Sequence, residues 1–147
     1  MKWLLPPVLV VICVVLMVVL RVLWPIAVIA PSPFNLLGIV LIIAGVALGA
    51  SGSRLFMRVK TNLNTFNEPG KLVTEGVFKY TRNPMYLSMV LMLAGVWILL
   101  GVLSPVLCVL LFIIAANWWY IPYEENLLAA KFGSDYAAYK TATRRWI

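Results

Sequence analysis

The sequence predicts an all-α polytopic membrane protein with four transmembrane helices and a cytoplasmic helical tail at the C-terminus. Three observations predict it. The 147 residues are 63% hydrophobic and 12% charged, with a mean hydropathy of +0.98, far from the balance of soluble domains. Four apolar runs, Leu4 to Leu23, Phe34 to Ala50, Met85 to Leu100 and Pro105 to Ile121, reach or approach the length of about 20 residues that crosses a hydrocarbon core. Between the second and third runs Arg54, Arg58, Lys60, Lys71, Lys79 and Arg82 outnumber Glu68 and Glu75, whereas the connections near Ala30 and Gly101 are almost uncharged. By the positive-inside rule the central loop, the tail and, with an even number of crossings, the N-terminus face the cytoplasm.

Lys2 and the long first run imitate a signal peptide. The run exceeds the usual h-region of about 7–15 residues and no clean small-x-small site follows, so it reads as a retained helix. Trp24 suits its interfacial end and Pro25 discourages continuation. In the second run Gly38, Gly45, Gly49 and Gly52 share one helical face, which suits close helix packing. Gly49-Ala50-Ser51-Gly52-Ser53 also admits a glycine-rich cofactor-loop reading, although no strand precedes it.

From Met57 to Arg82 the chain turns polar. Asn62, Asn64, Thr65, Asn67, Glu68-Pro69-Gly70 and Thr74-Glu75-Gly76 supply turn chemistry. Phe66, Leu72, Val73, Val77 and Phe78 argue for an ordered segment against the membrane face. The chain therefore divides into two N-terminal helices, 1–56, and a core, 57–147. Gly101-Val102-Leu103-Ser104-Pro105 makes a tight helical hairpin, with Ser104 able to cap and Pro105 suited to the first turn. Pro122 kinks or restarts the last membrane helix, and Gly133 stops it. A final helix from Ser134 gathers Phe132, Tyr136, Tyr139, Thr143 and Trp146 opposite Lys140 and Arg144, the pattern of a helix lying on a membrane surface or over a site.

Composition also excludes. There is no histidine, which removes the usual zinc sites and histidine base catalysis. Cys13 and Cys108 lie in apolar runs without CxxC spacing and do not report the redox compartment. The basic excess is what topology requires, so membrane lipids are the expected partner and nucleic acid is not. No apolar run contains Asp or Glu, against a proton-coupled transporter. A non-enzymatic helper subunit stays as the alternative to an enzyme.

Two polar words remain, Arg82-Asn83-Pro84-Met85-Tyr86 and Glu124-Glu125, each where an apolar run meets charged chain. A guanidinium, an amide, a phenol and two carboxylates at one membrane face suit a zwitterionic small molecule. Topology and helix electrostatics offer a plainer account, because acids in a first turn stabilise a helix by about 0.3–1 kcal/mol and Arg82 can anchor at headgroups.

The segment from Leu72 through Tyr86, then Glu124-Glu125, Phe132-Gly133-Ser134-Asp135-Tyr136 and the closing Arg145-Trp146 resembles the integral-membrane methyltransferase superfamily. That superfamily contains the isoprenylcysteine carboxyl methyltransferases and the phospholipid methyltransferases. The resemblance covers about the last 85 residues. It implies S-adenosylmethionine as cofactor, held by Gly70, Lys71, Leu72, Val73, Phe78, Asn83, Pro84, Met85, Tyr86, Glu124 and Glu125, and a lipophilic or lipid acceptor reached from the bilayer. Glu124 is expected at the cofactor and Glu125 in a more structural role. Tyr86 and Asn83 are expected at the cofactor's amino-acid end, and Arg82 at its carboxylate or at the headgroups. Arg82, Tyr86 and Glu124 are the catalytic candidates.

Two positions depart from the prenylcysteine enzymes. Asn83 stands where those usually carry histidine, a variant that points to a bacterial-type plasma membrane. Tyr120 replaces the arginine expected for a substrate carboxylate. With Trp119 it is expected on an aromatic surface suited to a lipid headgroup or quaternary ammonium.

Overall fold

The computed structural model describes residues 5–58 and 70–147. The expectations attached to Lys2, Leu4, Lys60, Asn62, Asn64, Thr65, Phe66, Asn67, Glu68 and Pro69 concern positions outside the described residues. The described residues form five α-helices: α1 (Pro6–Leu23), α2 (Leu37–Arg58), α3 (Pro84–Leu100), α4 (Val106–Ala115) and α5 (Ile121–Ala142). Short 3-10 turns occupy Phe34–Leu36 and Gly76–Lys79, and a π-helical segment, Ala116–Tyr120, joins α4 to α5.

Pro6 opens α1, where its missing N–H costs nothing, and the Trp24 N–H closes the helix on the Leu20 carbonyl at 2.9 Å. The second helix runs past Ala50 to Arg58. Its serines do not interrupt it, because Ser51 Oγ donates to the Ala47 carbonyl at 2.8 Å and so stays within the helical ladder. Pro6–Leu23, Phe34–Arg58 and Val106–Ala142 are long and apolar enough to cross a membrane by length and composition; Pro84–Leu100 is a shorter apolar helix.

The predicted glycine stripe is a packing device. Gly38 lies against Gly95, Gly45 against Ser88, and Gly52 against Met85. Rising numbers on α2 meet falling numbers on α3, so the two helices are antiparallel. A Cβ at Gly38 would sit 2.3 Å from the Gly95 carbonyl oxygen, and one at Gly95 would sit 2.5 Å from the Gly38 oxygen. Only small residues permit this backbone approach, and packing is the main source of helix association in lipid. The glycines of α2 that a cofactor loop would have needed are thus engaged with α3.

Against the other side of α3, the core joins Cys13 and Met17 of α1 to Tyr86, Leu93, Cys108, Phe112, Ala116 and Tyr120. The end of the bundle away from the two polar words is tied by backbone. Ile29 N–H donates to Gly101 O at 2.9 Å and Leu103 N–H to Ala27 O at 2.8 Å. Gly101 takes the left-handed conformation (φ 71°) that ends α3, and Arg21 and Asn35 donate to the last carbonyls, of Leu100 and Leu99. Ser104 does not cap α4. It is buried, and its hydroxyl turns back to the Leu20 carbonyl at 3.5 Å.

Pro122 does not restart the last helix; the chain passes through it in a wide turn. Ile121 N–H reaches back five residues to Ala116 O, which widens the helix immediately before a proline whose ring would crowd an ordinary turn. Gly133, at φ 47° and ψ −116°, redirects the helix within α5. The expected break is at this residue.

Gly95→Leu should destabilise the protein by at least about 1–3 kcal/mol, the usual range for overpacking. Ala47→Leu, on an exposed side of α2, should change little. Thermal unfolding in detergent distinguishes them, and equal melting temperatures would refute the close-contact account.

Candidate active site

The two polar words come together at the end of the bundle where α3 begins and α5 begins. Pro84 occupies the first turn of α3 and Asn83 the position before it. Asn83 does not cap with its side chain. Its backbone N–H goes to Thr81 Oγ1 at 3.1 Å, and its side-chain amide donates to the Arg145 carbonyl at 2.9 Å. One turn on, the Tyr86 hydroxyl donates to Glu124 Oε1 at 2.8 Å. This contact joins the two words directly.

Glu125 faces another way. Arg145 forks onto it, Nε to Oε1 at 3.3 Å and Nη2 to Oε2 at 2.7 Å. Arg82 Nη2 lies 3.3 Å from Oε1 and Lys140 Nζ 3.7 Å from Oε2. The Glu125 side chain is 10% exposed and that of Arg82 9%. A carboxylate so withdrawn from water requires opposite charge and full hydrogen bonding, and the arginine fork supplies both. Arg82 is therefore packed inside the protein, not extended to the headgroups.

The C-terminal segment completes the enclosure. Beyond Gly133 the chain doubles back as a strap across Thr81–Asn83. Arg82 N–H donates to Arg144 O at 3.0 Å, Thr81 Oγ1 to Arg145 O at 3.3 Å, and Trp146 Nε1 to Asn117 Oδ1 at 2.9 Å. The Tyr139 hydroxyl donates to Phe78 O at 2.7 Å. Of the two roles expected for the last helix, lying over a site is the one its contacts describe.

Burial pushes the Tyr139 phenol up to about 12, with Arg82 opposing and Tyr136 adding to the rise. Tyr136 is raised as well, first by burial and then by Glu125.

The remaining residues named from sequence divide. Val73 and Phe78 are buried, Phe78 with its ring 5.1 Å from that of Phe56 on α2, so it anchors the loop to the bundle. Gly70 and Lys71 are exposed, and Leu72 and Met85 half-buried. Tyr120 does not lie on an exposed aromatic surface. It is 1% exposed, stacked between Tyr86 (centroids 6.1 Å) and Trp119 (5.4 Å), because the π segment turns it into the core. Trp119 is half-buried, and the exposed ring of this stretch is Trp118.

Sequence reasoning missed the strap's grip on Glu125 through Arg145 and Lys140. The closing Arg145-Trp146 was the available signal. It also missed that Arg82 Nε is buried with no hydrogen-bond partner among the described residues, an N–H in want of an acceptor.

Glu125→Gln should loosen the strap, because it leaves the Arg82 guanidinium buried and uncompensated. Limited proteolysis should then cut near Gly133 several-fold faster, and an unchanged rate would refute the tether. The Tyr139 contact adds stability that is full below the unfolded phenol's value of 10.0 and lost as pH rises through about 12. Tyr139→Phe should accordingly flatten the alkaline limb of the strap's protection, and an identical limb would exclude this role.

The family model for phospholipid methyltransferases matches residues 34–135, which span α2, the loop, the hairpin and both polar words. An uncharacterized protein of Haemophilus influenzae is 41% identical over 63 residues, 43% of this chain and 100% of the relative. No solved structure matches. A match over most of the chain, ending just past the Gly133 turn, shows that the protein belongs to the phospholipid methyltransferase family.

Proposed function

We propose that the protein is an S-adenosylmethionine-dependent methyltransferase acting on a lipophilic acceptor that enters sideways from the bilayer. The observation that carries this reading is the hydrogen bond from Tyr86 to Glu124 beside a buried Arg82 with an unused N–H. When bound, S-adenosylmethionine supplies an electrophilic methyl group on a sulfonium. The residues fit its charges. Arg82 Nε offers a donor to a carboxylate oxygen, and Glu124 offers negative charge to an ammonium or sulfonium.

Methyl transfer is dominated by positioning and electrostatics, so the absence of histidine is no obstacle. Tyr86 fixes Glu124 by donating to it, and Glu125 fixes Arg82 by pairing with it. The consecutive carboxylates thus take different tasks, Glu124 toward ligand and Glu125 toward the fold. An amine acceptor, mostly protonated at neutral pH, has Glu124 to receive its proton. A carboxylate acceptor needs no base but does need a cation. The position that supplies an arginine in the prenylcysteine enzymes here holds the buried Tyr120. That favours a lipid headgroup over an isoprenylcysteine-like carboxylate. The site faces the cytoplasm by the charge asymmetry of the loops, in a bacterial-type plasma membrane.

Titration calorimetry with S-adenosylhomocysteine in detergent tests the reading. Wild type should bind, and Glu124→Ala combined with Tyr86→Phe should weaken binding by at least about tenfold, the loss of a charged hydrogen bond. No binding by folded wild-type protein would sink the enzyme reading, and unchanged affinity in the variant would sink the site assignment.

A further inference from the structure

The last two turns of α2 carry a feature that the methyl-transfer site does not use. Ser51, Arg54, Leu55, Met57 and Arg58 line an open concavity of about 630 Å³. The face of α2 bearing Gly38, Gly45 and Gly52 is spent on α3, and at 100° per residue Arg54 and Arg58 point nearly opposite to it. Both are exposed.

Arg54 and Arg58 are four residues apart, so their guanidiniums neighbour each other on one helix face. Like charges in that register repel. Among the described residues neither has an ion-pair or hydrogen-bond partner, whereas Arg82, Lys140 and Arg145 all pair with Glu125. Ser51 gives its proton to the Ala47 carbonyl, which leaves the two guanidiniums as the side-chain donors among the described residues that line the groove. The positive-inside rule asks for cations on this side of the membrane but not for a pair one turn apart with a concavity between them.

We propose that this groove binds the phosphodiester headgroup of an anionic glycerophospholipid. The location suits that ligand. α2 has 22 residues, about 33 Å of helix, so its last turn reaches headgroup depth when the rest spans a core of about 30 Å. Two planar guanidiniums bind phosphate oxygens in paired fashion, while Leu55 and Met57 meet the glycerol and upper acyl chains. The groove lies on the face of α2 turned away from α3, and its occupation does not depend on the methyl-transfer reading. The lipid it holds would brace the end of α2, against which Phe78 packs through Phe56.

Native mass spectrometry tests this without cofactor or turnover. Protein equilibrated with equal amounts of phosphatidylglycerol and phosphatidylcholine of the same acyl chains should retain the anionic lipid in about tenfold preference. Arg54→Gln with Arg58→Gln should abolish the preference, and Lys79→Gln, an exposed cation on the neighbouring loop, should keep it. All three cations are exposed, so the substitutions spare the core. Equal retention of both lipids by wild type, or a preference that survives the double variant, would overturn the proposal. Displacement of the lipid by inorganic phosphate at matched ionic strength would overturn it too, by showing a bare anion site.

Discussion

One carboxylate holds together the part of the molecule where chemistry is expected. Glu125, at the start of α5, takes cations from two other segments: Arg82 from the end of the loop, and Lys140 and Arg145 from the strap. A buried charge left alone would cost several kcal/mol, so the three segments must assemble together. Asn83 and Thr81 then add hydrogen bonds to the same strap. The arrangement of Tyr86 and Glu124 follows from this closure, because α3 can begin at Pro84 only where the residues before it are held.

A second constraint lies in the bilayer itself. Without a hydrophobic force between helices in lipid, α2 and α3 associate by backbone proximity, and Gly38 facing Gly95 lets them approach more closely than any side chain there would allow. That contact sets the depth of α3, and hence the depth of Asn83 and Tyr86. The glycine stripe and the carboxylate cluster are therefore coupled: one places the word Arg82 to Tyr86 along the membrane normal, and the other closes it from the side.

Much of this was legible in the sequence. Apolar length located the helices, and the charged loop and tail put both polar words at one end. Trp24-Pro25 and Gly133 marked real changes of direction because proline and glycine act through backbone geometry alone. The second apolar run stops at Ala50, where hydropathy falls, while Gly52 on the same glycine face already carries the helix further; the backbone continues to Arg58 because serine can satisfy itself within a helix. The burial of Tyr120 and the pairing of Arg82 with Glu125 could not be read from pattern, for both depend on tertiary packing that brings distant residues within a few ångströms. In the same way, Ser104 was suited to capping by its type and is otherwise occupied because α1 lies against it.

The π-helical segment ahead of Pro122 has a consequence for how this chain tolerates changes of length. A wide turn holds one residue more than an ordinary turn over the same arc. Elsewhere between Val106 and Tyr123, gaining or losing one residue would rotate everything downstream by about 100° and turn both Glu124 and Glu125 away from Tyr86 and Arg82. Within Ala116–Tyr120 the loss of one residue converts the wide turn to a regular one and leaves both carboxylates aimed as they are. The helix thus contains one place where a deletion is absorbed before it reaches the acids, and Trp118, exposed on the outside of that turn, is the residue the structure can most readily spare.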